Sequence, residues 1–323
     1  MKSLKIQEAI DLLKNGEVIA IPTETVYGLA ADARSDKAVS KIFEAKGRPA
    51  DNPLIVHIGD MAQVDHLATD VSEDARLLMN HFWPGPLTVI VKNARLVSRF
   101  ATAGLPTIGL RMPDHPIALE LLRTSGLPLA APSANISGKP SPTLVDHVLH
   151  DMGNRIAGIV DGGMCELGIE STVIDMTSDV PVILRPGCIS SQQIEAVIGP
   201  VDTLSSETHQ PKAPGIKYTH YAPKAKVIVI DGSLKFFRSI IRYYKKEEGL
   251  KVGVLCHTSN IDRYQTADIS RRIGHKGKHL YATLRSFDEH HVDVILSECF
   301  DNEAVMNRLL KASEERILRE VED

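Results

Sequence analysis

Two rhythms of apolar and polar positions run along the chain. Leu4, Ile6, Ala9, Ile10, Leu12 and Leu13 recur at helical spacing, and Asn15-Gly16 ends the helix they predict. The apolar run Glu17–Pro22 predicts a buried strand. A helix over about Asp36–Ala45, with Val39, Ile42 and Phe43 on one face, precedes a strand at Pro53–Ile58 and a helix at Ser72–Phe82. Strands follow at Leu87–Val91, Thr107–Arg111 and Pro128–Pro132, with a helix at about Pro116–Thr124. AGIV, STVID and VPVILR continue the series, and Ser190 with Gln193 reads as a capping box for the helix ending at Gly199. Strands and helices do not strictly alternate, so the pattern predicts a mixed, twisted α/β sheet.

From about Val201 to Pro214 the periodicity stops, and VDTLSSETHQPKAP reads as a linker. Beyond it, Lys226–Gly232, Val252–Thr258 and Val292–Glu298 are apolar runs separated by helical stretches, a βαβ rhythm. The predicted organisation is a first α/β domain over residues 1–202, a linker over 203–224 and a smaller, Rossmann-like α/β domain over 225–323.

Composition narrows the class of function. The 323 residues are 43% hydrophobic and 24% charged, enough apolar material for two globular cores. The formal net charge of −4 has the wrong sign for a protein that coats nucleic acid. Cys165, Cys188, Cys256 and Cys299 form no C-x-x-C pair, so reduced, mostly buried thiols are expected rather than a zinc or redox centre. The amphipathic N-terminus and the lack of an apolar run approaching ~20 residues predict a cytoplasmic protein without a membrane span.

The familiar nucleotide motifs are missing: neither G-x-x-x-x-G-K-[ST] nor G-x-G-x-x-G after a strand occurs, and H-E-x-x-H and G-x-S-x-G are missing too. His147 and His150, spaced i, i+3, read as surface histidines rather than metal ligands. Instead, polar clusters follow buried strands, where α/β folds present side chains to a cleft. PTETVYGLAAD (Pro22–Asp32) brings Thr23, Glu24 and Thr25, which read equally as a helix N-cap. AKGRPADNPLIVHI brings Lys46, Arg48 and Asn52 on a proline-stiffened segment, two cations and an amide suited to phosphates without a P-loop, and then His57. PLAAPSANISGKPSPT brings Ser133, Asn135, Ser137, Ser141 and Thr143 on a second stiff loop. Arg111 and Arg185 end strands, where a guanidinium can clamp a carboxylate or phosphate, and GIESTVID carries Ser171 and Thr172. The junction sequence APGIKYTHYAPK is rich in aromatic residues, with Tyr218, His220 and Tyr221.

Taken in order, PTETVYGLAADA, the K-x-R of Lys46 and Arg48 with NPLIVHI, WPGPLT, the S-x-N of Ser133 and Asn135, GIESTV, LRPG and PGIKYTHYAP closely resemble the YrdC-like family of threonylcarbamoyl-AMP synthases, in its longer branch with an extra C-terminal domain. The resemblance is dense over roughly residues 3–224 and thinner beyond, where SECFDNEAVMNRLLKAS stands in place of a glycine-rich stretch. It implies a curved YrdC-like α/β domain with a concave active face, a Rossmann-like second domain, and a linker lying over the entrance as a lid. It implies formation of threonylcarbamoyl-AMP and pyrophosphate from L-threonine, bicarbonate and ATP, with Mg²⁺ on the phosphates and no metal ligand from the protein. Downstream threonylcarbamoyl-transfer proteins would then carry the group to tRNA. Carried over by position, Thr25, His57, Arg111, Ala131 and Ser171 would contact threonine. Arg48, Asn52, Thr107, Ser133, Asn135, Ser141, Arg185 and Tyr221 would hold ATP. Lys46 and Arg48 would be the catalytic cations, stabilising charge as a carbamate oxygen attacks the α-phosphate in line. A non-enzymatic RNA-binding module is the competing class, but an overall charge of −4 predicts weak, salt-sensitive RNA binding at best.

Overall fold

The structure, a computed structural model, describes residues 1–203, 220–274 and 277–321. Two compact units emerge. The first holds the described residues 1–137 and 141–203, and the second holds 138–140 and 220–321. Most of the expected linker and lid, residues 204–219 with Tyr218, lies outside the described residues.

In the first unit the chain runs α1 (Ile6–Lys14), β1 (Ile19–Ile21), β2 (Gly28–Asp32), α2 (Asp36–Lys46), β3 (Ile55–His57), α3 (Ala62–Leu67), β4 (Ala68–Thr69) and α4 (Glu73–Phe82). It continues through β5 (Leu87–Asn93), β6 (Thr107–Arg111), α5 (Pro116–Ser125), β7 (Leu129–Ala130), α6 (Val145–Met152) and β8 (Gly158–Ile159). β9 (Thr172–Asp175), β10 (Val182–Arg185), α7 (Ser191–Ile198) and β11 (Asp202–Thr203) complete it. One mixed sheet orders the strands β11-β10-β9-β5-β6-β3-β7-β2-β1-β8, with β4 beside β5. The expected strand and helix series is present. The last residues before the undescribed stretch, Asp202 and Thr203, pair in parallel with β10 as an edge strand.

Strand alternation decides which face each side chain joins. Val18 and Ala20, Leu29 and Ala31, Val56, Val89, Ile108, Leu110 and Ile174 face a large core closed by α2, α3, α4, α6 and α7. On the opposite face, Ile19, Ile21, Ala30 and Leu129 pack with Ile10 and Leu13 of α1 and with Leu121 and Leu122 of α5. Farther along that same face, β3, β5 and β9 contribute only a small cluster of Ile55, Ile90 and Val173, with Leu184 against it. The sheet is thus sandwiched by helices at one end and carries a polar, sparsely packed face at the other.

The second unit runs β12 (Lys226–Asp231), α8 (Leu234–Lys246), β13 (Val252–His257), a 3₁₀ turn (Thr258–Tyr264), β14 (Ile269–Ile273), α9 (Leu280–Glu289), β15 (Val294–Glu298), α10 (Glu303–Ala312) and β16 (Ile317–Arg319). Its five strands are all parallel, in the order β14-β13-β15-β12-β16. Phe237 and Ile241 of α8 pack on one face with Ile228, Val254 and Leu296. Asn302, in the stretch where relatives are expected to carry glycine, caps α10 by accepting the Val305 N–H at 3.0 Å. The thiols divide: Cys165 and Cys256 are buried, Cys188 is half-buried and Cys299 is exposed, so burial holds for two of the four.

The capping box at α7 is formed as the sequence predicts, the Ser190 hydroxyl accepting the Gln193 N–H and the Gln193 side chain accepting the Ser190 N–H. Replacing Ser190 with Ala should lower unfolding free energy by about 1 kcal/mol in urea denaturation, with an unchanged m-value.

Candidate active site

The polar face is built from strand ends. Alternation along β6 puts Thr107, Gly109 and Arg111 on it, while β3 adds Ile55 and His57, and β5 adds Thr88 and Ile90. The registers Ile55↔Gly109, His57↔Arg111 and Thr88↔Val173 hold these side chains side by side. His57 and Arg111, expected on threonine, and Thr107, expected on ATP, therefore share one surface. Ala131 joins it through its N–H, which donates to the Ile55 carbonyl at 2.9 Å.

The Pro22–Tyr27 segment is not a helix start. The chain turns and enters β2, which pairs antiparallel with β1. Thr23 closes this turn: its hydroxyl accepts the N–H groups of Thr25 and Val26 at 3.2 Å and donates to the Val26 carbonyl at 2.6 Å. A local hydroxyl–backbone turn thus competes successfully with helix initiation. It buries Thr25 completely and turns Glu24 inward, where Oε1 accepts from Arg111 Nη2 at 2.6 Å. Both side chains are only 5% exposed. The Arg111 Nε also donates to the Gly85 carbonyl of the W-P-G-P-L-T segment.

The K-x-R and S-x-N motifs, 87 residues apart, are joined directly. α2 ends at Gly47, whose left-handed φ of 60° sends the chain into the stiff segment. At the helix end Lys46 is buried, and its ammonium donates to the carbonyls of Ser133 and Asn135, the latter at 2.8 Å. Its own carbonyl accepts the Ser137 N–H at 2.9 Å. Burial, then the neighbouring Arg48 guanidinium, push the Lys46 pKa well down, and Asp151 and Glu170 oppose that shift. Glu170 also accepts the Ser141 hydroxyl at 2.5 Å. Asn135 Nδ2 donates to the Ile136 carbonyl at 2.9 Å. Lys46, expected to face the phosphates or the carbamate, donates to the loop that carries Ser133 and Asn135, and Arg48 beside it is also buried.

Arg185 grips the neighbouring segment: Nε and Nη2 donate to the Ser171 carbonyl at 3.2 and 3.0 Å, and Nη2 reaches the Ser171 hydroxyl at 3.1 Å. That hydroxyl is 2.8 Å from the Thr88 hydroxyl. Gly187 permits the approach, because a Cβ there would lie 2.2 Å from the Thr172 nitrogen. The two amide atoms of Asn52 and both ring nitrogens of His57 are buried without hydrogen-bond partners. Buried polar atoms left unpaired are rare, and a partner such as water or a ligand satisfies them.

Of the expected residues, Thr25, Lys46, Arg48, Asn52, His57, Thr107, Arg111, Ala131, Ser133, Asn135, Ser141, Ser171 and Arg185 all lie in the first unit. Tyr221 lies in the second, stacked on Tyr281 with ring centroids 5.3 Å apart and with the Arg308 guanidinium over its ring. Reading the sequence residue by residue assigns no role to Glu24, Thr88, Asp151 or Glu170. Glu24 stands out in sequence as an acid between two threonines, but its partner is 87 residues away. His147 Nδ1 accepts the Thr143 N–H at 3.2 Å. Among the described residues no cluster of three His, Cys, Asp or Glu side chains could hold a metal ion, and no helix is long and apolar enough to cross a membrane.

A family model described as "Telomere recombination", covering Sua5, YciO and YrdC, matches residues 11–187, and the model "Threonylcarbamoyl-AMP synthase, C-terminal domain" matches residues 189–314. The chain belongs to the Sua5/YciO/YrdC family. It is 50% identical to the threonylcarbamoyl-AMP synthase of Bacillus subtilis over 98% of this chain and 94% of that protein. The crystal structure of Pyrococcus abyssi Sua5 complexed with L-threonine superposes with a TM-score of 0.92 at 45% identity, covering 99% of this chain and 98% of that one. Escherichia coli YciO matches over 56% of this chain and 87% of its own, with a TM-score of 0.51 at 28% identity. Within the family, this chain has the two-part Sua5 architecture.

His57 gives the site a pH signature. Burial first, and then the Arg111 guanidinium, hold its imidazole pKa down at about 3. The folded protein therefore resists the proton that the unfolded chain takes up below about 6.5. Stability should fall as pH drops from 6.5 toward 3, by up to about 1.4 kcal/mol per pH unit from this residue. Urea denaturation between pH 6.5 and 4.5 should show a shallower acid limb in His57→Gln than in the wild type.

Proposed function

We infer that this chain is a threonylcarbamoyl-AMP synthase, acting as a nucleotidyltransferase on L-threonine, bicarbonate and ATP and releasing pyrophosphate. The carrying observation is that a buried, polar sheet face with an unpartnered His57 ring, and an unpartnered Asn52 amide in the turn before β3, lie in a chain matching the L-threonine complex of Pyrococcus abyssi Sua5 almost end to end. On this reading Arg111 takes the threonine carboxylate, with Thr25, His57, Ala131 and Ser171 around the rest of the molecule. Arg48, Asn52, Thr107, Ser133, Asn135, Ser141 and Arg185 hold ATP, and Tyr221 is assigned to it from the second unit. Ser171 is bonded to Arg185, so the two subsites meet at one hydrogen-bonded pair.

No covalent enzyme nucleophile is required. The threonine amine becomes a carbamate, whose oxygen attacks the α-phosphate in line, and pyrophosphate leaves. Arg48 supplies positive charge where the phosphate oxygens gain charge, and Lys46 holds the Ser133–Asn135 loop against that cation. Mg²⁺ would come with the triphosphate as part of the substrate and neutralise part of its charge; among the buried carboxylates near the site, Glu170 accepts the Ser141 hydroxyl and one oxygen of Glu24 accepts from Arg111. Burial of the polar face keeps water from the carbamate and from the mixed anhydride. The product then serves downstream threonylcarbamoyl-transfer proteins that act on tRNA.

A non-enzymatic RNA-binding module is the weaker reading, because Lys46, Arg48, Arg111 and Arg185 are buried rather than displayed to a phosphate backbone. The purified protein should release pyrophosphate only when threonine, bicarbonate and MgATP are all present. Arg48→Ala should lower single-turnover formation of the AMP adduct by about 10²-fold or more. Pyrophosphate release that persists without threonine or without bicarbonate would overturn the assignment.

A further inference from the structure

The Arg111–Glu24 pair has a feature that ion pairing alone does not use. Glu24 Oε1 is taken by Arg111, yet Oε2 is buried and has no hydrogen-bond partner. Leaving a carboxylate oxygen dry and unpaired costs free energy, and the tight Thr23 turn enforces the cost by aiming the side chain inward. A zwitterionic α-amino acid carries an ammonium and a carboxylate on one carbon. Arg111 beside Glu24 presents the opposite charges in the same adjacency, a cation followed by an open carboxylate oxygen.

We propose that Glu24 completes the threonine subsite: its Oε2 receives the substrate ammonium and takes the proton that the amine must lose before it can attack carbon. This role rests on the reading of the chain as a threonylcarbamoyl-AMP synthase. The step balances. The ammonium gives one proton to the Glu24 carboxylate, leaving a neutral amine and a carboxylic acid. The amine nitrogen then bonds to the carbon of bicarbonate, the C–OH bond breaks, and hydroxide departs with the second nitrogen-bound proton as water, leaving the carbamate.

The other titratable groups facing this corner are poorly suited to the task. His57, from β3, is held at about 3 by burial and by Arg111, so it stays neutral and offers no negative charge to an ammonium. Cys165, whose segment reaches Glu24 where the Leu167 N–H donates to the Glu24 carbonyl at 2.7 Å, is pushed up by burial to about 12 and stays a thiol. His115, half-buried, is lowered mainly by burial, with Glu24 opposing the shift. Arg111 is a permanent cation. Among the described residues of this corner, Glu24 is the group that pairs an anionic acceptor with an open position.

Pyrophosphate release from the full-length protein, followed from pH 6.5 to 9.5, tests the role. Glu24→Gln keeps an acceptor for Arg111 but cannot take the proton. Its kcat at pH 7.5 should fall about 10²–10³-fold and then recover roughly tenfold per pH unit, as solution supplies the free amine. Glu24→Asp should keep the wild-type shape of the profile with a raised KM for threonine. A Glu24→Gln profile parallel to the wild type, with the loss confined to KM, would overturn the proton-accepting role and leave Glu24 as an anchor for Arg111. A measurement on the unaltered protein covers the case in which the variants fold poorly. 3-Hydroxybutanoate, which is threonine without its amine, should inhibit at least about tenfold more weakly than the threonine KM suggests, because it leaves Oε2 unpaired. Inhibition as tight as threonine itself would overturn recognition of the ammonium. If the wild type released no pyrophosphate with all three substrates, the enzymatic reading would fail first, whatever the variants did.

Discussion

A cation in a dry site needs an internal partner, because a buried charge with no partner is too costly to keep. Three cations of the first unit have internal acceptors that solve this problem. The Lys46 ammonium is held by the Ser133 and Asn135 carbonyls, Arg111 by Glu24 and the Gly85 carbonyl, and Arg185 by the Ser171 carbonyl and hydroxyl. These acceptors also fix the cations in place, and fixed charges are the condition for electrostatic stabilisation without reorganisation. The rest of the site follows from this arrangement. Loops far apart in sequence are stitched together by the same bonds that neutralise the charges.

The sheet explains why those cations can be brought together at all. One face is filled from end to end by a large helix-covered core, and the other is helix-packed only around β1, β2 and β7. Over β3, β6, β5 and β9 the alternate residues are freed from core duty, and there the chain places His57, Thr107, Arg111 and Thr88 beside a small apolar cluster. Parity along a strand thus assigns adjacent residues to different jobs: Leu110 builds the core while Arg111 serves the cleft.

Much of this is legible in the sequence, for a physical reason. Apolar periodicity marks β6 at Thr107–Arg111 to the residue, and the Ser190–Gln193 box marks the start of α7, because both depend on neighbours in sequence. The Thr23–Glu24–Thr25 segment is ambiguous between helix cap and turn, since the hydroxyl chemistry is the same in both, and only pairing with β1 decides for the turn. Lys46 is readable as a functional cation but not as a loop staple. Its acceptors are main-chain carbonyls, to which any residue type at positions 133 and 135 would contribute equally. Glu24 is visible and its partner is not, because a salt bridge spanning 87 positions leaves no local pattern.

The same electrostatic logic bears on the style of chemistry the first unit supports. Covalent catalysis needs a nucleophile whose reactive form is populated near neutral pH. Cys165 is a buried thiol close to the Glu24–Arg111 pair, and burial raises its pKa to about 12, so the thiolate is scarce. Burial likewise raises the Tyr27 phenol, whose hydroxyl donates to the Gly163 carbonyl at 2.7 Å. Ser171 is tied to Arg185 and Thr88 rather than to an imidazole that could deprotonate it. These groups are arranged to donate and accept hydrogen bonds, while the charges are carried by cations and by the carboxylates that hold them. Such an arrangement suits aligning two substrates and stabilising the charge that develops between them, which is what the proposed joining of a carbamate to a nucleotide phosphate asks of a protein.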